Sequence, residues 1–375
     1  MPNWNYPTPI RFGCGRLSEL PDCCAALGMK KPLLVTDAGL ARLPIAQQVL
    51  DLVPAASMFS DVRPNPVGAN VEAGVQAYHA GGHDGVIALG GGSALDVGKA
   101  VGLMVGQDRP MWDFEDVGDN YLRVRVEGMA PVLAVPTTSG TGSEVGRCSV
   151  ITDESTHTKR ILFHPRMLPG LVLADPDTTL GLPPKLTAAV GMDALSHNLE
   201  AWCSPMEHPM ADGIALEGMR LIHRSLLRAY RDGNDRQARS DMMAASTMGA
   251  VAFQKGLGAM HSLAHPIGAL FDTHHGLTNA VVMPYVLQHN APAIEERLQL
   301  LARYLGVSSV LDWVLELRQQ LEIPHTLAEL GVQAERLRDI AERAVIDPTA
   351  STNPLPLTVP DCLKMLEAAM SGNCR

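Results

Sequence analysis

Several hallmarks of common protein classes are missing from this sequence, and each absence excludes a class. No apolar run reaches the roughly 20 residues that a membrane-spanning helix needs. The opening residues hold neither a basic segment nor an apolar core, so we expect no secretory leader. Basic side chains are outnumbered by acidic ones, 30 to 40, and the net charge of −10 argues against a nucleic-acid partner.

Cysteines are few, and their spacing shows no pairing pattern. The seven are scattered from Cys14 to Cys374, without the two pairs that a zinc site of cysteines requires. An odd, scattered set argues against a disulfide framework and predicts reduced thiols in the cytoplasm. With 46% hydrophobic and 19% charged residues over 375 positions, the composition predicts a globular protein with room for two domains.

The first half of the chain alternates short apolar runs with helical patterns, which is typical of a parallel α/β sheet. We predict strands at residues 32–36, 85–89, 131–136, 159–163 and 170–174. The Asp-Pro and Pro-Pro steps between residues 175 and 184 then predict a link between domains. We therefore expect a Rossmann-like, parallel-sheet nucleotide domain over residues 1–183.

Beyond residue 183 the strand patterns cease and helical patterns take over. We predict helices at residues 191–202, 209–231, 234–253, 291–305, 310–321, 334–344 and 360–370. Helix breaks are expected at Gly256, Gly258, Gly268 and Gly276. The predicted fold is thus an α/β domain followed by an all-helical domain over residues 184–375.

Two polar loops follow predicted strands. The first, Gly90-Gly91-Gly92-Ser93, leads into a helix that holds Asp96. A strand, a glycine-rich turn and a helix N-terminus together cradle phosphate groups. The run matches neither G-x-G-x-x-G nor a Walker loop, so a plain tight turn is the alternative. The second loop begins at Thr137 and Thr138, and its hydroxyls suit a nicotinamide ribose and phosphate.

Asp37 stands at the carboxyl end of the first of these predicted strands. An acid in that position often accepts hydrogen bonds from the adenine ribose and repels a 2′-phosphate, which favours NAD over NADP. The alternative is a helix N-cap, because a helical pattern begins at Ala38.

A candidate metal site lies in the helical half. Asp193 and His197 are four residues apart, so a helix places both on one face. His261 and His265 share this spacing, and the pair His274-His275 follows. One carboxylate with three imidazoles suits Fe2+ or Zn2+ with a position open for substrate. The alternative is that the Asp–His pair serves surface or capping chemistry.

The ordered motifs resemble a known family. They are Gly90-Gly-Gly-Ser93 with Asp96 and Lys99, Pro136-Thr-Thr-Ser-Gly-Thr-Gly-Ser-Glu144, Asp175-Pro176, Gly191-Met-Asp-Ala-Leu-Ser-His197, Gly258-Ala-Met-His-Ser-Leu-Ala-His-Pro-Ile-Gly268 and His275-Gly-Leu-Thr-Asn279. Together they span nearly the whole chain, and in this order they resemble the iron-containing (group III) alcohol dehydrogenases.

The resemblance implies a role for each site residue. The implied metal ligands are Asp193, His197, His261 and His275. The implied cofactor contacts are Asp37, Gly91, Gly92, Ser93, Asp96, Thr137, Thr138 and Lys159. His265 is expected beside the nicotinamide and the substrate, where it relays the alcohol proton or holds the substrate. His274 is an extra histidine without an implied role.

The resemblance also implies the cofactors and partners. It implies NAD, with Fe2+ as the metal and Zn2+ as the alternative. It implies a small alcohol or aldehyde as substrate, in a homodimer or a larger homo-oligomer.

One departure from the family pattern concerns the substrate. After Ser143-Glu-Val145, where many relatives continue with an uncharged pair, this chain has Gly146-Arg147-Cys148. Near the substrate tail, the Arg147 guanidinium would bind a carboxylate through two parallel hydrogen bonds. The alternative is a solvent-facing ion pair with Asp153 or Glu154.

Arg147 completes a set of motifs that resembles the 4-hydroxybutyrate dehydrogenase branch. The other two are Pro209-Met-Ala-Asp-Gly-Ile-Ala-Leu216 and Phe253-Gln-Lys255-Gly-Leu-Gly258. We therefore expect hydride transfer between NAD(H) and an ω-hydroxy acid or its semialdehyde, such as 4-hydroxybutyrate or succinic semialdehyde. A simple short-chain alcohol or diol dehydrogenase and a metal-dependent lyase or synthase are the alternatives.

Overall fold

The computed structural model describes residues 7–156 and 158–374. The chain divides into two compact units. One holds residues 7–138 and 142–181, and the other holds residues 139–141 and 182–374. A search of the described residues finds no helix that is both long enough and apolar enough to span a membrane.

The first unit is an α/β structure. Its strands are β1 (Ile10–Phe12), β2 (Leu33–Val35), β3 (Ser57–Phe59), β4 (Val86–Gly90), β5 (Val132–Pro136), β6 (Cys148–Asp153), β7 (Thr158–Phe163) and β8 (Leu171–Ala174). Its helices are α1 (Leu20–Ala26), α2 (Pro44–Leu52), α3 (Gly68–Gly81) and α4 (Gly92–Met104). Over the described part of the unit, six strands form one sheet in the order β1-β8-β5-β4-β2-β3, and every neighbouring pair is parallel. The predicted parallel sheet is confirmed.

Four of the five predicted strands belong to this sheet, as β2, β4, β5 and β8. The prediction for residues 159–163 was wrong in its pairing, because β7 joins β6 in a separate antiparallel hairpin. Along β6 buried residues alternate with half-buried ones, which is the pattern of a strand with one covered face. The edge strands β1 and β3 escaped prediction because each has only three residues and is partly exposed.

Helix α4 lies unusually close to the sheet because two glycines face it. A Cβ atom on Gly98 would lie 2.5 Å from the Cβ of Ala88, and one on Gly102 would lie 2.6 Å from Cγ2 of Val132. Such distances are far below van der Waals contact, so larger side chains would push the helix away. The glycines thereby fix the N-terminus of α4 at the carboxyl end of β4.

The described residues of the second unit form helices joined by loops, without a strand. Its helices are α5 (Pro184–Cys203), α6 (Pro209–Arg231), α7 (Arg236–Ala252), α8 (Ala259–Phe271), α9 (His275–Leu305), α10 (Val310–Gln320), α11 (Leu337–Ala344) and α12 (Val359–Ser371). Helix α5 is central, since every residue from Gly191 to Cys203 is buried. Its side chains Met192, Leu195 and Leu199 belong to the apolar core of the unit.

Two predicted helix breaks were wrong, and one predicted helix began too late. Gly268 and Gly276 lie inside α8 and α9, whereas Gly256 and Gly258 precede α8 as predicted. Helix α9 also continues through Pro284 and Pro292, so it begins at residue 275 and not at 291. A proline removes one backbone hydrogen bond, and at Pro284 the continuous burial of residues 278–287 offsets that loss.

Candidate metal centre and nucleotide-binding loops

Helix α5 carries a polar face within an apolar core. Asp193, His197 and Glu200 follow one another at spacings of four and three residues, so their side chains share one face. All three are at most 5% exposed. A buried charge persists only when it is paired, hydrogen-bonded or bound to a cation, so this face requires partners.

Three predicted ligands come together in one cluster. Asp193, His261 and His275 each contribute one ligand atom, and these atoms lie within 4.8 Å of one another. Asp193 Oδ1 is 3.6 Å from Nε2 of His275. The amide nitrogen of Asn279 lies 3.0 Å from this Oδ1, 3.2 Å from His275 Nε2 and 3.3 Å from His261 Nε2. Lone pairs of three side chains therefore converge on one small volume, as they do around a cation.

His197, the fourth predicted ligand, lies against this cluster and is not one of its three members. Its ring stacks on that of His261, with centroids 4.7 Å apart and an interplanar angle of 24°. Burial lowers the pKa of His197 to about 4, so the ring is neutral near pH 7. Nδ1 lies 3.3 Å from the Gly140 carbonyl oxygen, which assigns the proton to Nδ1 and leaves Nε2 as the ligand atom. A ligand role for His197 stays a prediction.

Glu200 orients His261, and sequence reasoning missed it. One carboxylate oxygen accepts the Met260 N–H at 2.7 Å, and the other lies 2.5 Å from His261 Nδ1. Burial alone would lower the pKa of His261, but the charge and hydrogen bond of Glu200, together with the charges of Asp193 and Asp347, raise that pKa above its ordinary value. The proton is held on Nδ1, so Nε2 faces the cluster as an acceptor. Metal-binding histidines are ordinarily held by such a carboxylate.

Replacing Glu200 by glutamine is expected to weaken metal binding by about 10- to 100-fold. The Met260 N–H would retain the amide oxygen, so the amide NH2 would face His261 Nδ1 and force the proton onto Nε2. The apparent Zn2+ dissociation constant, measured by competition with a chromophoric chelator, checks this. Glu207→Gln, on an exposed residue, is the control and should leave the constant unchanged. Equal constants for wild type and Glu200→Gln would contradict the orienting role.

The remaining two histidines occupy different positions. His265 stacks on His275, with centroids 5.5 Å apart and an interplanar angle of 14°, and its Nδ1 lies 2.8 Å from Asp347 Oδ2. His274 is the exposed N-cap residue of α9, and its carbonyl oxygen accepts the Thr278 N–H. His265 therefore lies beside the cluster, whereas His274 begins the helix that carries His275.

The donor set fits a divalent transition metal. It consists of one carboxylate and up to three imidazoles, which suits Fe2+ and Zn2+ better than the all-oxygen sites of Mg2+ or Ca2+. The hydrogen bond from His261 to Glu200 also suits a metal site, because it leaves an acceptor nitrogen of His261 facing Asp193.

In the α/β unit, the two predicted loops lie side by side. The β4–β5 register pairs Gly90 with Pro136, and Gly90 adopts φ = 149°, a conformation open to glycine. The Thr137 N–H donates to the Gly90 carbonyl oxygen at 2.9 Å. A Cβ atom on Gly91 would lie 3.2 Å from the Thr138 hydroxyl. Gly92 and Ser93 then open α4, whose N-terminal N–H groups favour a phosphate.

The predicted cofactor acids have protein partners. Asp37 Oδ1 accepts the N–H groups of Gly39 and Leu40 at 2.9 Å each, so it stabilises the turn that leads into a short 3₁₀ helix, whose N-cap residue is Gly39. Asp96 accepts the Ser143 hydroxyl at 2.6 Å and the Val150 N–H at 3.0 Å. Asp96 thus ties α4 to the turn at Ser143. Cofactor contacts of Asp37 and Asp96 stay predictions.

Ser93 and Lys159 both contact the loop before α3. The Ser93 hydroxyl donates to the Pro64 carbonyl oxygen, and Lys159 Nζ donates to Asn65 Oδ1 at 3.1 Å. The structure therefore brings these two residues to one loop, next to the N-terminus of α4. Their predicted contact with the cofactor is compatible with that position.

Arg147 lies at the start of the β6–β7 hairpin and is half-buried. Its guanidinium carbon is 5.7 Å from the centre of the Phe163 ring. Burial raises the pKa of Asp116, and the Arg147 charge opposes that rise, so the two charges interact. Asp153, one of the two ion-pair partners considered above, binds Arg160 at 2.9 Å instead.

Comparison with known proteins identifies the family of the chain. The family model "Iron-containing alcohol dehydrogenase" matches residues 7–176, and the C-terminal model "Fe-containing alcohol dehydrogenase family" matches residues 187–370. The 4-hydroxybutyrate dehydrogenase of Cupriavidus necator is 38% identical, over 97% of this chain and 99% of its own.

Solved structures of similar proteins support the same assignment. A 1,3-propanediol oxidoreductase superposes with a TM-score of 0.93 at 32% identity, over 99% of this chain and 100% of its own. Sulfoacetaldehyde reductase from Bifidobacterium kashiwanohense, solved with NAD+, gives a TM-score of 0.90 at 29% identity, over 99% of both chains. The chain belongs to the iron-containing alcohol dehydrogenase family, whose oxidoreductases use iron and NAD(H).

Proposed function

We propose that this chain interconverts an ω-hydroxy acid and its semialdehyde, with 4-hydroxybutyrate and succinic semialdehyde as the model pair. Two similar proteins support the substrate class, since 4-hydroxybutyrate dehydrogenase and sulfoacetaldehyde reductase both carry the names of short substrates with an anionic end. The observation that carries the proposal is the half-buried guanidinium of Arg147.

Arg147 is suited to bind an anion. It lies close in sequence to Ser143, whose hydroxyl is bound to Asp96 of the predicted phosphate-binding helix. The Phe163 ring supports the guanidinium and limits its orientations, and partial burial strengthens its charge interactions. A planar guanidinium binds a carboxylate or sulfonate through two parallel hydrogen bonds, which a neutral alcohol does not offer.

The other residues take the roles that their positions support. Asp193, His197, His261 and His275 hold the metal, which when bound polarises the substrate oxygen as a Lewis acid. The loops at Gly91 and Thr138 would hold NAD(H), which would supply hydride exchange with the substrate carbon. His265 exchanges the alcohol proton.

The proposal extends to organisation and location. Residues 1–183 bind the dinucleotide and residues 184–375 bind the metal. The enzyme works as a homo-oligomer in the cytoplasm, without nucleic-acid or membrane partners. The scattered cysteines and the net charge of −10 support these assignments.

The test compares succinic semialdehyde with butanal as substrates for Fe2+-loaded enzyme, by following NADH oxidation. We expect a higher kcat/KM for the semialdehyde. Arg147→Ala should raise KM for the semialdehyde by about 10- to 100-fold, the effect of losing a charge-assisted pair, and should leave KM for butanal nearly unchanged. Arg166→Ala, on an exposed arginine of the same unit, should change neither.

A second candidate function is the oxidation of simple alcohols or diols, which the match to 1,3-propanediol oxidoreductase favours. It predicts a preference for butanal and equal effects of Arg147→Ala on both substrates. Family membership favours either dehydrogenase over the lyase or synthase alternative. Net NADH formation in each turnover would separate those two classes.

A further inference from the structure

A segment far along the chain, residues 347–354, packs on helix α8 beside the candidate metal centre. Thr352 Oγ1 donates to the Leu257 carbonyl oxygen at 2.8 Å, just before α8. Asn353 Oδ1 accepts the N–H of Ala259, the first residue of α8, at 3.0 Å. Six residues further along α8, Asp347 Oδ2 lies 2.8 Å from His265 Nδ1. The segment is therefore held against both the start and the middle of the helix.

His265 lies beside two of the candidate metal ligands. Its ring stacks on that of His275 and meets the His261 ring edge-on, with centroids 6.0 Å apart. Its side chain is 15% exposed, so the ring is neither sealed in the core nor free in solvent. Because Nδ1 faces Asp347, Nε2 is the ring atom available for exchange with a substrate.

The hydrogen bonds of Asp347 determine which of its oxygens faces His265. Oδ1 accepts both the backbone N–H and the hydroxyl of Thr349, at 2.9 and 2.5 Å. Burial alone would raise the pKa of Asp347, but His265 and Thr349 outweigh it and hold that pKa below its ordinary value. The carboxylate is thus ionised and can only accept, which requires His265 Nδ1 to carry its proton.

We propose that Asp347 is a positioning residue that holds His265 in the Nδ1–H tautomer, so that Nε2 relays the alcohol proton; this rests on the relay role given to His265 in the proposed function. In the oxidation direction the alcohol carbon loses hydride to NAD+, and the alcohol oxygen loses its proton to Nε2. The resulting imidazolium then faces the Asp347 carboxylate, which stabilises it. In the reduction direction Nε2–H returns the proton to the nascent alkoxide.

The geometry makes Asp347→Asn a sharper test than Asp347→Ala. Thr349 supplies two donors to Oδ1, so an asparagine keeps its carbonyl oxygen there and turns its NH2 towards His265. The imidazole must then accept at Nδ1 and carry its proton on Nε2, the wrong tautomer for a base. An alanine leaves the ring free to adopt either tautomer. The same replacement beside a catalytic histidine disables it in the Ser-His-Asp triad.

The experiment reads the tautomer directly. Full-length, Zn2+-loaded protein is labelled with 15N-histidine, and the His265 signals are assigned with His265→Asn. We expect Nδ1–H in wild type and Nε2–H in Asp347→Asn. We expect kcat of Asp347→Asn to fall by about 100-fold, with a smaller fall for Asp347→Ala and partial recovery for Asp347→Glu. Zn2+ affinity and KM for NAD+ should stay at wild-type values. Asp361→Asn, on a half-buried aspartate that caps α12, is the matched control.

The outcomes separate the inference from the function on which it rests. A wild-type tautomer in Asp347→Asn would overturn the inference, as would a switched tautomer with an unchanged kcat. A wild-type protein that holds the Nδ1–H tautomer but transfers no hydride to NAD+ would contradict the proposed function instead. Equal losses of kcat and thermal stability in all three Asp347 variants would show that the residue only supports the fold.

Discussion

Replacing Asp193 by asparagine is expected to remove stable metal binding and to lower kcat/KM by about 1000-fold. Asp193 is the one anion among the four predicted ligands, and asparagine keeps its volume while removing its charge. A Lewis acid contributes several kcal/mol of transition-state stabilisation, which corresponds to this factor. The measurement is metal content after dialysis, together with the rate of NADH oxidation.

The same variant makes a thermodynamic prediction. A ligand that binds only the folded state raises its stability in proportion to affinity, so added Zn2+ should raise the Tm of wild type and leave that of Asp193→Asn unchanged. Without metal, the variant should be at least as stable as wild type, because it no longer buries a charge beside three imidazoles. Asp312→Asn, on an exposed residue, is the control. Wild-type metal content in Asp193→Asn would show that the ligand set is wrong.

Local spacing in the sequence placed two pairs of candidate residues on helix faces, and one residue of each pair belongs to the cluster of Asp193, His261 and His275. Asp193 and His197 are one helical turn apart, and His261 and His265 repeat that spacing, so periodicity placed each pair on a helix face. The partners that orient these side chains have no such spacing. Glu200 meets His261 across 61 positions of sequence, a separation that no local pattern records.

The sequence analysis missed Glu200 and Asn279 because residues of these types are usually exposed on helices, whereas here they are buried. An acid or amide on a helix is typical of a solvent-facing position. From the sequence alone, Glu200 and Asn279 therefore give no indication of a role beside the candidate ligands. Both are at most 5% exposed, and both bind the candidate ligands. Their positions become informative only when the packing of α5 against α8 and α9 is known.

The sequence likewise predicted some elements of the fold and missed others. Fully buried parallel strands such as β4 and β5 are continuous apolar runs and were predicted, whereas the three-residue edge strands were not. Helix α9 was predicted to begin 16 residues late, because glycine and proline were interpreted as breaks. Gly276 does not end a helix. It is a glycine because α9 approaches α5 too closely for a side chain.

Gly276 is expected to be essential because a side chain there would separate α5 from α9, the helices that carry the candidate ligands Asp193 and His275. A Cβ atom on Gly276 would lie 2.2 Å from the Ala189 carbonyl oxygen and 3.0 Å from the Asp193 Cβ. The first is a backbone atom of buried helix α5 and cannot rotate away, so α9 must shift by roughly 1 Å. The shift would move His275, the preceding residue, away from Asp193.

Gly276→Ala should therefore lower the free energy of unfolding by about 3 kcal/mol, at the upper end of the usual cost of overpacking, and kcat/KM by about 100-fold through misplacement of the site. Gly213→Ala is the matched control, since no described atom lies within 4 Å of a Cβ placed on this exposed residue of α6. It should instead stabilise the protein by about 0.5–1 kcal/mol, because alanine loses less backbone entropy in a helix. Urea unfolding and Zn2+ titration of the two variants check this. If Gly276→Ala retained wild-type stability and Zn2+ affinity, α9 would be free to move without disturbing the site, and the close contact between α5 and α9 would not be what aligns His275 with Asp193.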